Sequence, residues 1–255
     1  MPILIGVTPE GEHVIRDLGR MPHLMVGGTT GSGKTIFLYS LLNSLLHTHP
    51  EPQSLRLFLS TSKPEDCSFF HNLPHLEQNK VISDAEEAVV SLQACIIQLF
   101  DEREKLLMKA SCRDIEEYNQ RHSNFLSPFV IVVDEFADLA DQLAYDKAGQ
   151  RDFYTQLRRA AQLGRNRGVH LVLCTQRPSA DLVPTNIRNL MNNRVALRVN
   201  DAIASKMILD ESGAESLQMH GDLLFKEENS LTRAQGYFTS SEDLHTVIDR
   251  IRHSS

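Results

Sequence analysis

Hydrophobic and polar positions along the chain form two kinds of segment. Short apolar runs indicate buried strands at HLMVGG, LRLFLS, FVIVVDE, VHLVLCTQ and RVALRV. Apolar residues at helical spacing indicate helices at TIFLYSLLNSLLHT and at RDFYTQLRRAAQLGRNRG, the second ending at Gly168. Alternating strands and helices are typical of a sheet covered on both faces. The sequence therefore predicts an α/β fold with a central, mostly parallel sheet flanked by helices on both faces.

A polar, acidic stretch between the second and third predicted strands is predicted to be helical. Ser83 and Glu86 have the spacing of a capping box, which predicts a long helix over about 84–108. A second helix over RDIEEYNQRH extends this helical segment to about residue 122. Because the chain has no internal repeat, low-complexity segment or long linker, we expect a single domain spanning 1–255.

Composition places the chain among ordinary globular proteins. It has 255 residues, of which 41% are hydrophobic and 23% charged. It lacks an apolar run of about 18 residues, and its start lacks the pattern of a signal peptide. We therefore expect a cytoplasmic protein, or a soluble piece of a longer protein that is anchored in a membrane elsewhere, with no direct membrane insertion by this segment. Widely spaced cysteines without a CxxC pair indicate ordinary thiols. The cysteines are Cys67, Cys95, Cys112 and Cys174.

The net charge of −7 argues at first against a nucleic-acid partner, since phosphate binding needs a basic surface. The charge is unevenly distributed, however. Segment 151–200 holds nine arginines, no lysine and two acids, a net +7 that leaves −14 for the rest of the chain. The guanidinium fork suits phosphate oxygens, so this bias indicates phosphate contacts or charged subunit interfaces. A solvated basic face is the alternative.

The glycine-rich segment GTTGSGKT matches G-x-x-x-x-G-K-[ST] between a predicted strand and a predicted helix, the context of a P-loop. Backbone N–H groups and the helix N-terminus would face the phosphates. Lys34 would reach the β and γ phosphates, and the Thr35 hydroxyl would bind Mg²⁺. ATP and Mg²⁺ are thus the predicted cofactors. The predicted binding residues are Gly28, Thr29, Thr30, Gly31, Ser32, Gly33, Lys34 and Thr35.

Acids at the end of FVIVVDE complete the predicted catalytic site. Asp134 lies at the carboxyl end of a predicted parallel strand, where ligands bind in open sheets, and would hold Mg²⁺. Glu135 would orient and polarise the attacking water, which fits repeated ATP hydrolysis. Both acids are also compatible with simple helix capping. Thr175 and Gln176 end the neighbouring strand, where Gln176 would sense the γ-phosphate.

Several further blocks carry a family resemblance. MPHLMVGGTTGSGKT, LPHL, VVDEFADL, GVHLVLCTQRPS, ILDESGAESL and GDLLF occur in this order. In sequence and spacing they resemble the FtsK/SpoIIIE family of motor ATPases, within the HerA/FtsK superfamily, over nearly the whole chain. The resemblance implies a RecA-like P-loop fold and a hexameric ring that threads double-stranded DNA through a central pore. Relatives with the same core pump proteins.

The resemblance also implies roles for individual residues. Matching RRAAQLGRNRGVH to the family pattern makes Arg165 the catalytic arginine finger, donated into the neighbouring subunit, with Arg159 as the alternative. This chain departs from the family at two positions. Lys206 replaces an arginine near the nucleotide, which loses the guanidinium fork, and Ser62 replaces an acid just before Lys63. The roles of these two positions stay open.

Two loops of the family line the pore and correspond here to about 141–151 and 177–186. Their polar side chains would make contacts to DNA phosphates that are independent of sequence. For Lys147 an ordinary surface lysine is the alternative. The predicted contact residues are Lys147, Arg151, Ser179 and Thr185.

We therefore expect an ATP-hydrolysing motor that translocates double-stranded DNA through an oligomeric, hexameric ring. One alternative is a protein-secretion motor of the same superfamily. Another is a regulatory ATPase of a DNA-defence complex that does not translocate. We expect the chain to be the motor domain of a longer protein, or a stand-alone translocase targeted by partner proteins.

Overall fold

A nine-stranded sheet runs through the part of the chain that the computed structural model describes, residues 1–177 and 185–254. Its spatial order is β2-β1-β9-β8-β7-β3-β6-β5-β4. In chain order the strands are β1 (Pro2–Val7), β2 (His13–Asp17), β3 (His23–Gly27), β4 (Arg56–Thr61), β5 (Phe129–Asp134), β6 (Val169–Thr175), β7 (Asn193–Leu197), β8 (Asp222–Glu227) and β9 (Ser230–Gln235).

The central part of the sheet is parallel and consists of β7, β3, β6, β5 and β4. These are the five strands that the apolar runs predict, so the expected α/β fold with parallel central strands is confirmed. Every residue of β3, β5, β6 and β7 is buried. Parallel strands are covered on both faces and therefore tolerate few polar side chains. His23 pairs with Leu171 and Gly27 with Thr175, so the strands end at the same edge.

The other part of the sheet is antiparallel and was not predicted from the sequence. β8 pairs with β7, β9 with β8, β1 with β9, and β2 with β1. Exposed and buried residues mix along β1, β2 and β9, so their sequences lack a continuous apolar run. Four antiparallel strands thus extend the parallel part of the same sheet at one edge.

Helices cover the sheet and are named in chain order. They are α1 (Lys34–Thr48), α2 (Pro64–Cys67), α3 (Ala85–Ala110), α4 (Ile115–Arg121), α5 (Phe136–Gln142), α6 (Lys147–Leu163), α7 (Thr185–Arg188), α8 (Ala202–Leu209) and α9 (Ser241–Ser254). Among the described residues, no helix is both long enough and apolar enough to cross a membrane.

Two hydrophobic cores lie on opposite faces of the sheet, and β5 contributes to both. Val130 and Val132 pack with residues of α1 and α9 in one core. Ile131 and Val133 pack with residues of α3, α5 and α6 in the other. The alternation follows from the two-residue period of a strand. It confirms the prediction of helices on both faces.

The long helix begins at a different cap from the predicted one. Asp84, rather than Ser83, is the N-cap of α3, and its carboxylate accepts the backbone N–H of Glu87 at 2.8 Å. Ser83 and Asp84 are each followed three residues later by a glutamate, so the sequence alone did not decide which of the two residues caps the helix. The helix ends at Ala110, and α4 brings the helical segment to Arg121, close to the predicted limit.

The helix before β6 also differs from its prediction. α6 begins at Lys147, where the carboxylate of Asp146 accepts the N–H of Ala148 at 3.0 Å, and it ends at Leu163. Gly168, with φ of +63°, closes a short 3-10 turn over 165–167 rather than the helix itself. Lys147 and Arg151 therefore lie on a helix and not on a loop, contrary to the prediction.

Candidate functional site

The glycine-rich loop joins the end of β3 to the start of α1. The Gly28 N–H donates to the Thr175 carbonyl at 3.2 Å, and the Thr29 N–H donates to the Arg198 carbonyl at 2.8 Å. The loop is thus fixed between the ends of β6 and β7. Gly31 and Gly33 have φ of +79° and +106°, a region that side chains disfavour. The sequence needs glycine at these two positions for the loop to curl onto the helix.

The loop has the properties of an anion cradle. A Cβ at Gly28 would lie 2.6 Å from the Ser32 hydroxyl oxygen and 2.9 Å from the Leu197 Cβ, so a side chain would fill the space. The Ser32 hydroxyl is buried, and no partner for it is found among the described residues. The first N–H groups of α1 have no partner inside the helix. These donors and the positive end of the helix fit a phosphate chain.

Lys34 is buried against the two acids that follow β5. Its Nζ donates to Asp134 Oδ1 and lies 3.7 Å from Glu135 Oε2. Burial alone would lower the pKa of Lys34, but the charges of Asp134 and Glu135 outweigh it and hold the pKa above its ordinary value. Thr61, at the end of β4, donates to Asp134 Oδ2 at 3.3 Å. The lysine therefore stays charged inside the protein.

Glu135 is held in place by the neighbouring strand. Its carboxylate accepts the Gln176 N–H at 2.8 and 2.9 Å and the Thr175 hydroxyl at 3.2 Å. Its backbone is left-handed, with φ of +54°, an uncommon conformation for a residue other than glycine and one found often at functional sites. Burial raises the pKa of this carboxyl above its ordinary value. Glu135 is thus a fixed carboxylate with increased basicity.

Gln176 contacts the glycine-rich loop directly. Its side-chain oxygen accepts the Thr30 hydroxyl at 2.8 Å. The loop, the acids after β5 and the end of β6 thus meet in one place, as the sequence analysis expected for Lys34, Asp134 and Gln176. Thr35, on the first turn of α1, is partly buried beside them.

An ionic cluster beside this site was missed by the sequence analysis. The Arg177 guanidinium donates to Asp138 Oδ1 and to Asp141 Oδ2, the latter at 3.0 Å. Ser62 donates to Asp138 Oδ2 at 3.3 Å. Ser62, which replaces an acid of the family pattern, therefore serves as a hydrogen-bond donor here. Asp138 and Arg177 lie within the family blocks, and Arg177 also belongs to the basic segment 151–200.

Arg165 and Lys34 lie at opposite ends of the central parallel strands. Arg165 precedes β6, whereas the glycine-rich loop follows β3, so the length of a strand separates them. Five to seven residues at about 3.3 Å each make this roughly 16–23 Å. Arg165 is exposed on the rim of a cleft of about 850 Å³, and no ion pair involves it in the described part of the chain. The structure therefore does not bring Arg165 to Lys34 within one chain.

Arg159, the alternative finger, is occupied within its own chain. Its guanidinium lies 3.8 Å from the Asp101 carboxylate and 5.1 Å from the centre of the Phe100 ring. These contacts fix it against α3. Of the two arginines, only Arg165 is exposed to solvent without an ionic partner among residues 1–177 and 185–254.

Most arginines of the basic segment 151–200 bond to groups of their own chain. Fewer of them are therefore available for the expected contacts to phosphates or to other subunits. Six of its nine arginines bond to acids or carbonyls of the same chain. These are Arg159, Arg167, Arg177, Arg188, Arg194 and Arg198. The other three, Arg151, Arg158 and Arg165, are exposed.

Three of the four predicted DNA contacts lie among the described residues. Lys147 and Arg151 are one turn apart on the exposed face of α6. Thr185 is the exposed first residue of α7. Ser179 lies outside the described residues. Lys206, which replaces a family arginine, is exposed on α8.

Together, the glycine-rich loop, its buried lysine and the acids after β5 define the class of the protein: it is a P-loop ATPase domain. The family model of the FtsK/SpoIIIE family matches residues 1–125 and 120–180. The chain belongs to the FtsK/SpoIIIE family.

Named relatives agree with this assignment. The chain is 34% identical over 258 residues to the DNA translocase FtsK of Helicobacter pylori strain J99, and the match covers 99% of this chain and 30% of the relative. The chain thus spans about a third of the length of this relative. A solved structure of the pCW3 conjugation coupling protein TcpA, in its monomer form with ATPγS, has a TM-score of 0.85. It is 26% identical, with 99% of this chain and 70% of TcpA covered.

A further solved ATPase structure shares the fold at lower identity. EssC from Geobacillus thermodenitrificans, in a structure of its ATPases 2 and 3, has a TM-score of 0.85 at 17% identity. The match covers 99% of this chain and 49% of that structure. At this identity the likeness concerns the fold alone.

Proposed function

We propose that the chain is an ATP-hydrolysing motor that moves double-stranded DNA through a ring of like subunits. The observation that carries this proposal is the joint position of Lys34, Asp134, Glu135 and Gln176 at the ends of three adjacent parallel strands. The similarity to relatives named DNA translocase supports duplex DNA as the polymer.

In the proposed site Lys34 binds the β and γ phosphates. Its ammonium group is already charged and buried, so a triphosphate competes with Asp134 for it without a protonation step. The Thr35 hydroxyl and the Asp134 carboxylate would hold Mg²⁺, whose chemistry is to neutralise charge on the phosphate oxygens. Both groups are oxygen donors, the ligand type that Mg²⁺ prefers.

Glu135 is the proposed base for the attacking water. Its raised pKa makes it a better proton acceptor than an ordinary glutamate, and its carboxylate is oriented by the Gln176 N–H. The Gln176 side chain, bonded to Thr30, is the proposed sensor of the γ-phosphate. Thr30 belongs to the loop that would hold the phosphates, so a change in that loop reaches Gln176 through one hydrogen bond.

Arg165 is the proposed finger for the neighbouring subunit. Because the length of a strand separates Arg165 from the P-loop of its own chain, it would serve only the nucleotide of a neighbouring subunit. An arginine there stabilises charge on the transferring phosphoryl group. Hydrolysis then depends on ring assembly.

DNA phosphates are the proposed partners of Lys147, Arg151, Ser179 and Thr185. The three of these that lie among the described residues are exposed, as phosphate contacts require. The segment with Ser179 follows Gln176 directly in the chain. A change at the γ-phosphate sensor therefore has a short covalent route to the proposed DNA contacts.

ATP hydrolysis measured with and without linear duplex DNA tests the proposal. We expect stimulation by the duplex that weakens as salt increases, since phosphate contacts release counterions. Lys34→Ala is the matched negative control. Absence of stimulation at low salt would contradict duplex DNA as the substrate, and stimulation by an unfolded polypeptide instead would favour a secretion motor.

A further inference from the structure

The outward face of α6 carries a line of exposed side chains that continues past the end of the helix. Its members recur at intervals of three and four residues, the period of one face of an α-helix. We call this line the α6 stripe, and it consists of Arg151, Thr155, Arg158, Gln162 and Arg165. Gly164 keeps helical angles, with φ of −66° and ψ of −39°, so the stripe continues from the helix to Arg165.

The α6 stripe holds the arginines of segment 151–200 that are not bonded within the chain. No ion pair in the described part of the chain involves Arg151, Arg158 or Arg165. Successive members of this trio are seven residues apart, which is about 10 Å along a helix axis. Asp152, the one acid of α6, is partly buried and lies about 100° around the helix from Arg151. The stripe therefore presents three positive charges and no negative one.

The proposed role of Arg165 determines what the rest of the stripe faces. In the proposed ring, Arg165 enters the nucleotide site of the neighbouring subunit. Arg158 lies two helical turns before it on the same face, and the buried side chains of α6 are on the other face, against the core. A helix face whose end enters a neighbour brings its adjacent turns against that neighbour. Arg158 is therefore placed opposite a surface beside the neighbour's P-loop.

Asp201 is an exposed acid on such a surface. It lines a cleft of about 190 Å³ together with Thr29 of the glycine-rich loop and Gln176. Its carboxylate caps α8 by accepting the Ala204 N–H at 2.8 Å, and no ion pair involves it among residues 1–177 and 185–254. Asparagine caps a helix as well as aspartate does, so the cap itself does not need the charge. The negative charge beside the nucleotide site is thus open to an external cation.

We propose that the α6 stripe is a subunit interface in which Arg158 pairs with Asp201 of the next copy of the chain. The proposal rests on the proposed ring, because it is Arg165 that directs the stripe toward a neighbour. Two different surfaces meet in this contact, which is the head-to-tail arrangement that closes into rings. Duplex DNA is the other polyanion that a basic stripe attracts. A copy of the chain is favoured because the stripe ends in the residue whose proposed target lies in a neighbouring subunit.

Sedimentation velocity in AMP-PNP and Mg²⁺ tests the interface. We expect Arg158→Glu to need a protein concentration roughly 10-fold higher than wild type for assembly, as for the loss of an interface charge pair. Arg158→Lys keeps the charge and should assemble nearly as well as wild type. Urea unfolding should show equal stability in all these variants, since Arg158 is exposed.

A double-mutant cycle tests the pair itself. Arg158→Gln and Asp201→Asn should each weaken assembly, and the second retains the helix cap. Because both remove the same contact, the double variant should assemble no worse than either single variant. Losses that add in the double variant would overturn Asp201 as the partner of Arg158.

Lys105→Glu is the matched control, because Lys105 is an exposed basic residue of another long helix, α3. It should leave assembly unchanged. Assembly of Arg158→Glu at the wild-type concentration would overturn the interface, and a loss of duplex affinity in that variant would then assign the stripe to DNA. If wild-type protein fails to assemble even with nucleotide and duplex DNA, the proposed ring is wrong, and the interface with it.

Discussion

Both carboxylate oxygens of Glu135 accept the backbone N–H of Gln176, at 2.8 and 2.9 Å. This interaction joins the ends of β5 and β6, two neighbouring strands. The position of the proposed base therefore depends on the backbone of the proposed sensor, and a shift of Gln176 reorients Glu135. The two residues act as one unit, which links the proposed hydrolysis step to the segment that follows Gln176 in the chain.

Glu135→Gln should retain nucleotide binding and lose hydrolysis. Glutamine keeps the shape and one acceptor oxygen for the Gln176 N–H but cannot take a proton from water. We expect the rate of hydrolysis to fall by roughly 10²- to 10⁴-fold, the range for a general base, with AMP-PNP affinity little changed. Glu116→Gln, which changes an exposed acid of α4, is the control. A Glu135→Gln protein that hydrolyses ATP at the wild-type rate would remove Glu135 from the mechanism.

Arg177→Ala should uncouple hydrolysis from DNA with little loss of stability. The Arg177 side chain is 58% exposed, so its ion pairs with Asp138 and Asp141 contribute at most about 1 kcal/mol. These ion pairs nevertheless connect Arg177, the residue that follows the proposed sensor Gln176, to α5. We expect basal hydrolysis to persist and its stimulation by duplex DNA to fall. Arg113→Ala, an exposed arginine near α4, should leave stimulation intact. Equal stimulation in the two variants would contradict the coupling role.

Stability should fall with acid because of two buried histidines on adjacent strands. Burial lowers the pKa of His23 to about 4 and that of His170 to about 3. Below pH about 6.5 the unfolded chain binds protons that the native protein excludes. The free energy of unfolding should therefore be highest above pH 6.5 and fall by up to about 1.4 kcal/mol per pH unit for each histidine on the way to pH 4.

Urea unfolding between pH 7 and pH 5 measures this effect. His170→Gln should reduce the slope of unfolding free energy against pH, whatever its effect on absolute stability. His47→Gln, which changes an exposed histidine, should leave the slope as it is. An equal slope in wild-type protein and in His170→Gln would contradict the contribution of His170 to the pH dependence of stability.

Two inactive variants should restore activity when mixed if the site is shared between subunits. Lys34→Ala retains its Arg165 but has a defective P-loop, and Arg165→Ala retains its P-loop but donates no finger. In a mixed ring, a Lys34→Ala subunit supplies Arg165 to the intact P-loop of its neighbour. Hydrolysis should therefore exceed the sum of the two separate proteins.

Arg159→Ala provides the comparison for this experiment. Because Arg159 pairs with Asp101 in its own chain, this variant should hydrolyse ATP without mixing. No recovery in the mixture, under conditions where wild-type rings form, would place the essential role of Arg165 within its own chain.

The sequence predicted the parts of the structure that depend on local pattern or on strand ends. β5 and β6 are buried on both faces and give continuous apolar runs, so they were found. Lys34 and Asp134 were expected to meet because parallel strands end at one edge of the sheet. β2 was missed, since exposed residues alternate along it and its only fully buried residue is Val14.

Tertiary contacts account for the remaining differences between the predictions from the sequence and the structure. The bond of Arg177 to Asp138 joins residues 39 positions apart and has no local signature. Likewise, Glu135 was predicted as a catalytic acid, but its orientation by Gln176 depends on the register between β5 and β6. The distance between Arg165 and Lys34 depends on the parallel pairing of β3 with β6, a contact between distant parts of the chain.

Displacement of a third DNA strand from a triplex measures translocation itself, because a motor that moves along duplex DNA strips the third strand ahead of it. Displacement should require ATP, be lost in Lys34→Ala and Glu135→Gln, and weaken at high salt. Hydrolysis stimulated by duplex DNA with no displacement of the third strand would contradict translocation along duplex DNA.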